Sequence, residues 1–271
     1  MTDLLPPPTD LLTRKIAIWF EGEQEFDILP FIFFVSSANA GQQSFQFYFP
    51  DPPDGVTYEV AGARQVKGEP GFVDSSGLEP YDVLIFITSK YLDGNHSFIE
   101  LGPLVHISTH GWKGNSSPPS VFEYLFHCMM CGAIYALTTV RSHGQFTMGC
   151  QFEYTRVKEL DRMDIALGFI CQEHRQIITS ELGDRVLADA EVLFKFSWLG
   201  KPDDYGTASF KMKDLFNYDL RKDSGYKKKL LERVQDNLEG MWFDVTKELL
   251  KGIVLILVAY LLFKFGLKAS R

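Results

Sequence analysis

The chain has 271 residues, 45% hydrophobic and 23% charged, which excludes a disordered or collagen-like polymer and allows one large domain or two small ones. Its 27 Lys+Arg stand against 35 Asp+Glu, and the net charge of -8 is uneven. Residues 252–271 hold Lys264, Lys268 and Arg271 and no acid, so residues 1–251 carry 24 minus 35, or -11. So acidic a body argues against nucleic acid as the main partner, because phosphate binding needs a net basic face.

Residues 1–13 read as a polar leader around Pro6, Pro7 and Pro8. No basic n-region or apolar h-region opens the chain, so no signal peptide is expected and the body is expected in a reducing cytoplasm. Four cysteines there read as free thiols or metal ligands rather than disulfides. Ile16 to Phe20 (IAIWF) predicts a buried strand. Phe26 to Val35 is apolar around Pro30 and predicts a helix with a break. Phe45, Phe47 and Phe49 alternate with polar residues, as a half-buried strand does, and Pro50 to Pro53 stop it. Gly55 to Gly77 reads as loop with one strand. Val83 to Ile87 and Leu104 to Ser108 predict two more strands.

Ser120, after Pro118 and Pro119, predicts the cap of a long apolar helix, VFEYLFHCMMCGAIYAL. Strands and helices alternate up to about residue 140, which predicts an α/β fold with a mixed sheet. Beyond it we expect a short helix over 159–167 and mostly helix from Cys171 onward, apart from Gly200 to Gly206. The chain divides into a leader (1–13), an α/β domain (14–180), a helical extension (181–225), an amphipathic helix (226–251) and an apolar tail (252–268). Leu230, Val234, Leu238, Met241, Val245 and Leu249 supply the apolar face of that amphipathic helix.

Ile253, Val254, Leu255, Ile256, Leu257, Val258, Ala259, Tyr260, Leu261, Leu262 and Phe263 form an unbroken apolar run. Residues 252–267 contain one charge, Lys264, over sixteen residues, slightly short of the roughly 20 that a full span needs. Lysines on both sides and Trp242 suit a membrane interface. The run predicts a single-pass C-terminal transmembrane helix that anchors a cytoplasmic body. A buried core helix is the alternative.

Metal-ligand side chains fall in three groups. His106 and His110 follow the strand at 104–108; Glu123 and His127 share one face of the long helix; His143, Cys150, Cys171 and His174 lie beyond it. Cys171-Gln-Glu-His174 places two ligands on one turn, which a tetrahedral zinc ion accepts without strain, and His143 and Cys150 complete an S2N2 set of the structural type. Two buried thiols and an exposed imidazole would satisfy the same spacing. Glu123 beside His127 suits either a general base at a metal site or one buried hydrogen bond. Cys128 and Cys131 fall in the middle of the apolar helix and read as core. No phosphate-binding glycine loop follows a strand, and no G-x-S-x-G elbow is present.

Taken in order, these pieces resemble the metzincin-type metallopeptidases, and among them the archaemetzincins, whose pattern is HExxHxxGxxH-C-x4-C-x-M-x17-C-x2-C. The resemblance covers about residues 80–180. It implies a mixed sheet followed by an active-site helix, one zinc on three histidines and a second on four cysteines. On that reading Glu123 takes the general-base position and His143 the third histidine. Cys150 and Cys171, with twenty residues between them against the family's nineteen, take two second-zinc positions, and His174 replaces the last cysteine. Phe122 and Phe126 stand at the first two histidine positions, and His127 is one position late, so the implied catalytic motif is eroded.

The expected function is therefore a tail-anchored binding or effector module, acting at a membrane in a role such as bacterial stress or defence. It would carry a structural zinc and bind a protein or small ligand. One alternative is an active zinc hydrolase with His106, His110, His127 and His143 as candidate ligands and Glu123 as base. Another is a homo-oligomer that perforates a membrane through residues 252–267, with Lys264 facing water.

Overall fold

The computed structural model describes residues 13–50, 80–92, 96–112, 119–143, 149–153 and 161–227. The chain runs β1 (Arg14–Glu21), α1 (Ile28–Ala38), β2 (Phe45–Tyr48), β3 (Val83–Thr88), β4 (Phe98–Leu101), β5 (Leu104–Ser108), α2 (Val121–Leu137), α3 (Asp161–Leu167), α4 (Gln172–Leu182), α5 (Asp184–Phe194), a 3-10 turn (Ser197–Leu199) and α6 (Ala208–Phe216). The fold is mixed α/β around a five-stranded mixed sheet of order β2-β1-β3-β5-β4. The first four strands in that order pair in parallel, and β4 lies antiparallel on β5 at the edge.

The central strands are apolar on both faces because both faces are covered, as in parallel sheets generally. All six residues of β3 are buried. On one face Ile16, Ile18, Ile85, Ile87, Val105 and Ile107 pack into the same core as the helices. On the other, Ala17, Trp19, Leu84, Phe86 and Leu104 form a separate cluster with Tyr81 against it. Across this second face Trp19, Phe86 and His106 are in register, with Trp19 edge-on to Phe86 and His106 stacked on it at 5.1 Å.

α2 is the central helix of the first core. Its N-terminus carries a capping box: the Glu123 N–H donates to Ser120 Oγ (3.3 Å), and the Ser120 N–H donates to Glu123 Oε2 (2.7 Å). Every residue from Val121 to Ile134 except Glu123 is buried. A helix hydrophobic all round must be buried all round, and α2 packs on β3, β4, β5, α1, α3 and α5. Gly132 is the point of closest approach, since a Cβ there would overlap Val105 Cγ1 of β5. Phe122 and Phe126 meet Phe34 of α1, and Phe126 also meets Trp198 of the 3-10 turn.

Two expectations change. Pro30 does not break α1; it is the third residue of the helix, in the first turn, where a missing N–H leaves no hydrogen bond unmade. The edge strand β4, FIEL, was not anticipated. It is short and only partly buried, so it carries no apolar run of its own, and its pairing with β5 creates it. The helix expected over 159–167 is observed as α3, and α4, α5 and α6 form the helical second half. The leader up to residue 12, the glycine-rich stretch, the expected amphipathic helix from residue 228 on and the apolar run at 253–263 lie outside the described residues, and Tyr226, at that helix's expected start, forms an isolated antiparallel bridge with Phe26. Among the described residues no helix is long and apolar enough to cross a membrane.

Candidate metal centre

Among the described residues a single group of metal-ligand side chains converges: His143, Cys150, Cys171 and His174, with one donor atom from each and all four atoms within 4.8 Å of one another. Three segments deliver them. His143 follows α2, Cys150 sits in the turn at 149–153, and Cys171 and His174 open α4.

Each segment is placed by local backbone chemistry. Isolated bridges pair His143 with Glu153 and Cys150 with Phe169, so the turn at 149–153 is held between the chain before it and the chain before α4. The His143 N–H donates to the Phe152 carbonyl at 3.1 Å, and the Gln151 N–H to the Phe169 carbonyl at 2.8 Å. Gly168 turns the chain out of α3 with φ +57, and a Cβ there would sit 3.0 Å from the Phe194 carbonyl oxygen. At the start of α4, Cys171 is the N-cap and His174 is N3. Those two positions face each other in a capping box; here a thiol and an imidazole occupy them, with Cys171 Sγ 3.5 Å from His174 Nδ1.

The remaining distances close the figure. His143 Nε2 is 3.1 Å from Cys171 Sγ, and Cys150 Sγ is 3.4 Å from His174 Nδ1. A tetrahedron with Zn–S of about 2.3 Å and Zn–N of about 2.0–2.1 Å has N···S edges of about 3.6 Å, so the donors already stand near the spacing that zinc requires. His174 Nε2 is 2.9 Å from the Arg141 carbonyl. A carbonyl can only accept, so Nε2 carries the proton and Nδ1 presents its lone pair toward the two sulfurs. That is the outer hydrogen bond by which metal-binding histidines are oriented.

The electrostatics agree with a ligand set. Burial lowers the His174 pKa, and the neighbouring His143 imidazole lowers it further, which keeps the ring neutral as a ligand must be. Burial pushes the Cys150 thiol up to about 11, while backbone N–H groups of Phe152 and Cys171 face its sulfur and favour the thiolate. The buried thiol therefore holds its proton until a cation displaces it. Two sulfurs and two imidazole nitrogens suit zinc in a four-coordinate structural site, with no position left open for water or substrate. The residues present fit the ion, and the quartet can hold zinc.

The other predicted residues are placed elsewhere. The Glu123 carboxylate caps α2; burial raises its pKa, and its hydrogen bonds to Ser120 oppose the rise. His127 is a buried imidazole whose Nδ1–H donates to Gln151 Oε1 at 2.7 Å, and burial drives its pKa down to about 4. Cys131 lies beside it and donates to the Gln151 carbonyl at 3.2 Å. His106 stacks on Phe86, and His110 meets the edge of Tyr91 at 5.4 Å. Among the described residues none of Glu123, His127, His106 and His110 joins a group of three metal donors. Cys128 and Cys131 are buried in the core, as their place in the helix implied.

Sequence reasoning missed Gln151. Its side chain bridges His127 of α2 and the Asp164 carbonyl of α3, and it directly follows a candidate ligand, Cys150. Arg141 was invisible as well, because it contributes a backbone carbonyl and any residue type could do so.

Fold and quartet together define a mixed α/β protein with a candidate four-ligand metal centre. Among solved structures, the chain is similar to the crystal structure of archaemetzincin from Methanopyrus kandleri, at 13% identity over 66% of this chain and 99% of that chain, with a TM-score of 0.38. An overlap this loose transfers neither ligands nor activity. No protein-family model matches the chain, and no curated protein matches it.

Proposed function

We propose that the protein is a zinc-stapled binding module with a metallopeptidase-like succession of mixed sheet and long helix, in which the zinc is structural and no peptide is cleaved. The observation that carries this reading is the convergence of His143, Cys150, Cys171 and His174 from three segments into one closed S2N2 set. When bound, the ion supplies a cross-link between those segments. This chain's own residues do the rest: Cys171 and His174 fix the start of α4, His143 fixes the exit from α2, and Cys150 fixes the intervening turn. Glu123 is occupied as a helix cap and His127 as a core hydrogen-bond donor, so the eroded motif on α2 acts in folding. The apolar run at 253–263 supports a further part of the proposal, that the module is held at a membrane surface.

Metal analysis of the purified full-length chain tests the reading. About one zinc per chain is expected, lost in Cys171→Ser, with no hydrolysis of a mixed peptide library. Zinc-dependent proteolysis abolished by Glu123→Gln would overturn it in favour of a hydrolase. Membrane flotation of the full chain against a chain ending at Lys251 tests the attachment, and equal behaviour of the two removes it.

A further inference from the structure

The quartet supports a second chemistry, which rests on the zinc reading above. The sulfurs of Cys150 and Cys171 lie within the 4.8 Å span of the donor atoms, and both stand within hydrogen-bond reach of the same His174 Nδ1, at 3.4 and 3.5 Å. Their backbones run side by side, because Cys150 bridges to Phe169, two residues before Cys171. Disulfides need such neighbouring backbones, with Cα atoms about 4.4–6.8 Å apart. The two thiols differ in access: Cys150 is fully buried and Cys171 is partly exposed. The other two cysteines, Cys128 and Cys131, are both buried in the middle of α2.

We propose that Cys150 and Cys171 are a redox pair that hydrogen peroxide converts to a disulfide, with release of the zinc. The more accessible Cys171 sulfur attacks one peroxide oxygen. The O–O bond breaks, hydroxide leaves and takes a proton from solvent, and Cys171 becomes a sulfenic acid. The Cys150 sulfur then attacks the Cys171 sulfur. The S–O bond breaks, a second hydroxide leaves and takes a proton from solvent to become water, and the S–S bond forms as the zinc ion departs. Two electrons have passed from the sulfur pair to the peroxide, and a dithiol such as dithiothreitol returns them. Both sulfur donors are consumed, and His143 and His174 alone offer two of the four ligands that a structural zinc needs. The cross-link among the exit of α2, the 149–153 turn and the start of α4 is thereby exchanged for a bond between the last two, leaving His143 held only by its backbone bridge to Glu153 and its hydrogen bond to the Phe152 carbonyl.

The test starts from the zinc content of the purified full-length chain, followed by treatment with hydrogen peroxide. Released zinc is read with a chromogenic chelator, and thiols are mapped by mass spectrometry. The expected result is loss of about one zinc per chain together with a Cys150–Cys171 linkage, both reversed by dithiothreitol and added zinc. In Cys150→Ser the partly exposed Cys171 has no partner to resolve its sulfenic acid, so it advances to sulfinic acid and does not recover. A chain without zinc before peroxide removes the metal reading and this one with it. Zinc retained after peroxide, released without that disulfide, or released with a linkage through Cys128 or Cys131 overturns this inference alone and leaves the metal reading standing.

Discussion

On α2, Glu123 and His127 stand four residues apart on one helix face; around 141–174, four ligands arrive from three segments of chain. The first pair looks in sequence like the beginning of a metal site, and its surroundings consume it. Glu123 satisfies the orphan N–H of its own N-cap, and His127 donates its Nδ1–H hydrogen bond to Gln151 Oε1. The second group is half scattered in sequence, and its four donor atoms meet. Helical spacing places two side chains on one face, but a tetrahedral site needs donors from several directions, which one helix does not supply. Gln151 joins the two regions, since it follows Cys150 in the chain and holds His127 through its side chain.

That contrast can be broken by mutation, and the largest effect belongs to the quartet. Replacing Cys171 or His174 with alanine should weaken zinc binding by more than the roughly 10–100-fold that an outer-sphere change costs, and should remove the drop in melting temperature that a chelator causes in the parent chain. Competition with a chromogenic chelator measures the first and thermal unfolding the second. Alanine at His127 should leave zinc stoichiometry intact; if it abolishes zinc, the two regions are one site and the contrast fails.

Acid should separate the regions next. The folded His127 pKa is depressed to about 4 from 6.5, so between those values the unfolded chain binds the proton and the folded chain does not. Stability from this group is fully present above about pH 6.5 and is lost as pH falls toward 4, by something on the order of 3 kcal/mol. Denaturant titrations of the metal-free chain at pH 7 and pH 4.5, compared with His127→Gln, isolate it. A pH dependence unchanged by that substitution would show that the ring is not a buried neutral core group.

Gly132→Ala is a smaller test with an informative sign. Helix propensity alone favours alanine by about 1 kcal/mol. The overlap of its Cβ with buried Val105 predicts instead a net loss of about 1–3 kcal/mol, as overpacking does, with zinc binding unaffected. The smallest effect is expected from Ser120→Ala, which removes one half of the capping box and should cost about 1 kcal/mol in unfolding free energy.

The elements that the sequence made legible are those whose signal is local. The strands around 16–20, 83–87 and 104–108 are apolar runs of the right length, and α2 announces itself by Ser120 and seventeen residues of nearly unbroken hydrophobicity. β4 was missed because four half-buried residues at a sheet edge depend on a partner strand, and Pro30 was misread because a proline's effect depends on which turn of the helix it occupies. Of the site, Cys171 and His174 were readable as a unit through their spacing of three. His143 and Cys150 were named for their residue types and for their places in the family pattern, and their contribution depends on two backbone bridges that no local pattern encodes.

By itself the sequence determined the donors, the acidic body and its cationic end, and the helix that runs through the core, because composition and periodicity act at short range. Tertiary structure alone decided which donors share a centre, that β4 runs antiparallel at the edge, and that His174 turns its Nδ1 toward the two sulfurs. Each of those depends on groups distant in sequence being brought within hydrogen-bond reach: His143 beside Cys171 at 3.1 Å, and the Arg141 carbonyl behind His174 at 2.9 Å.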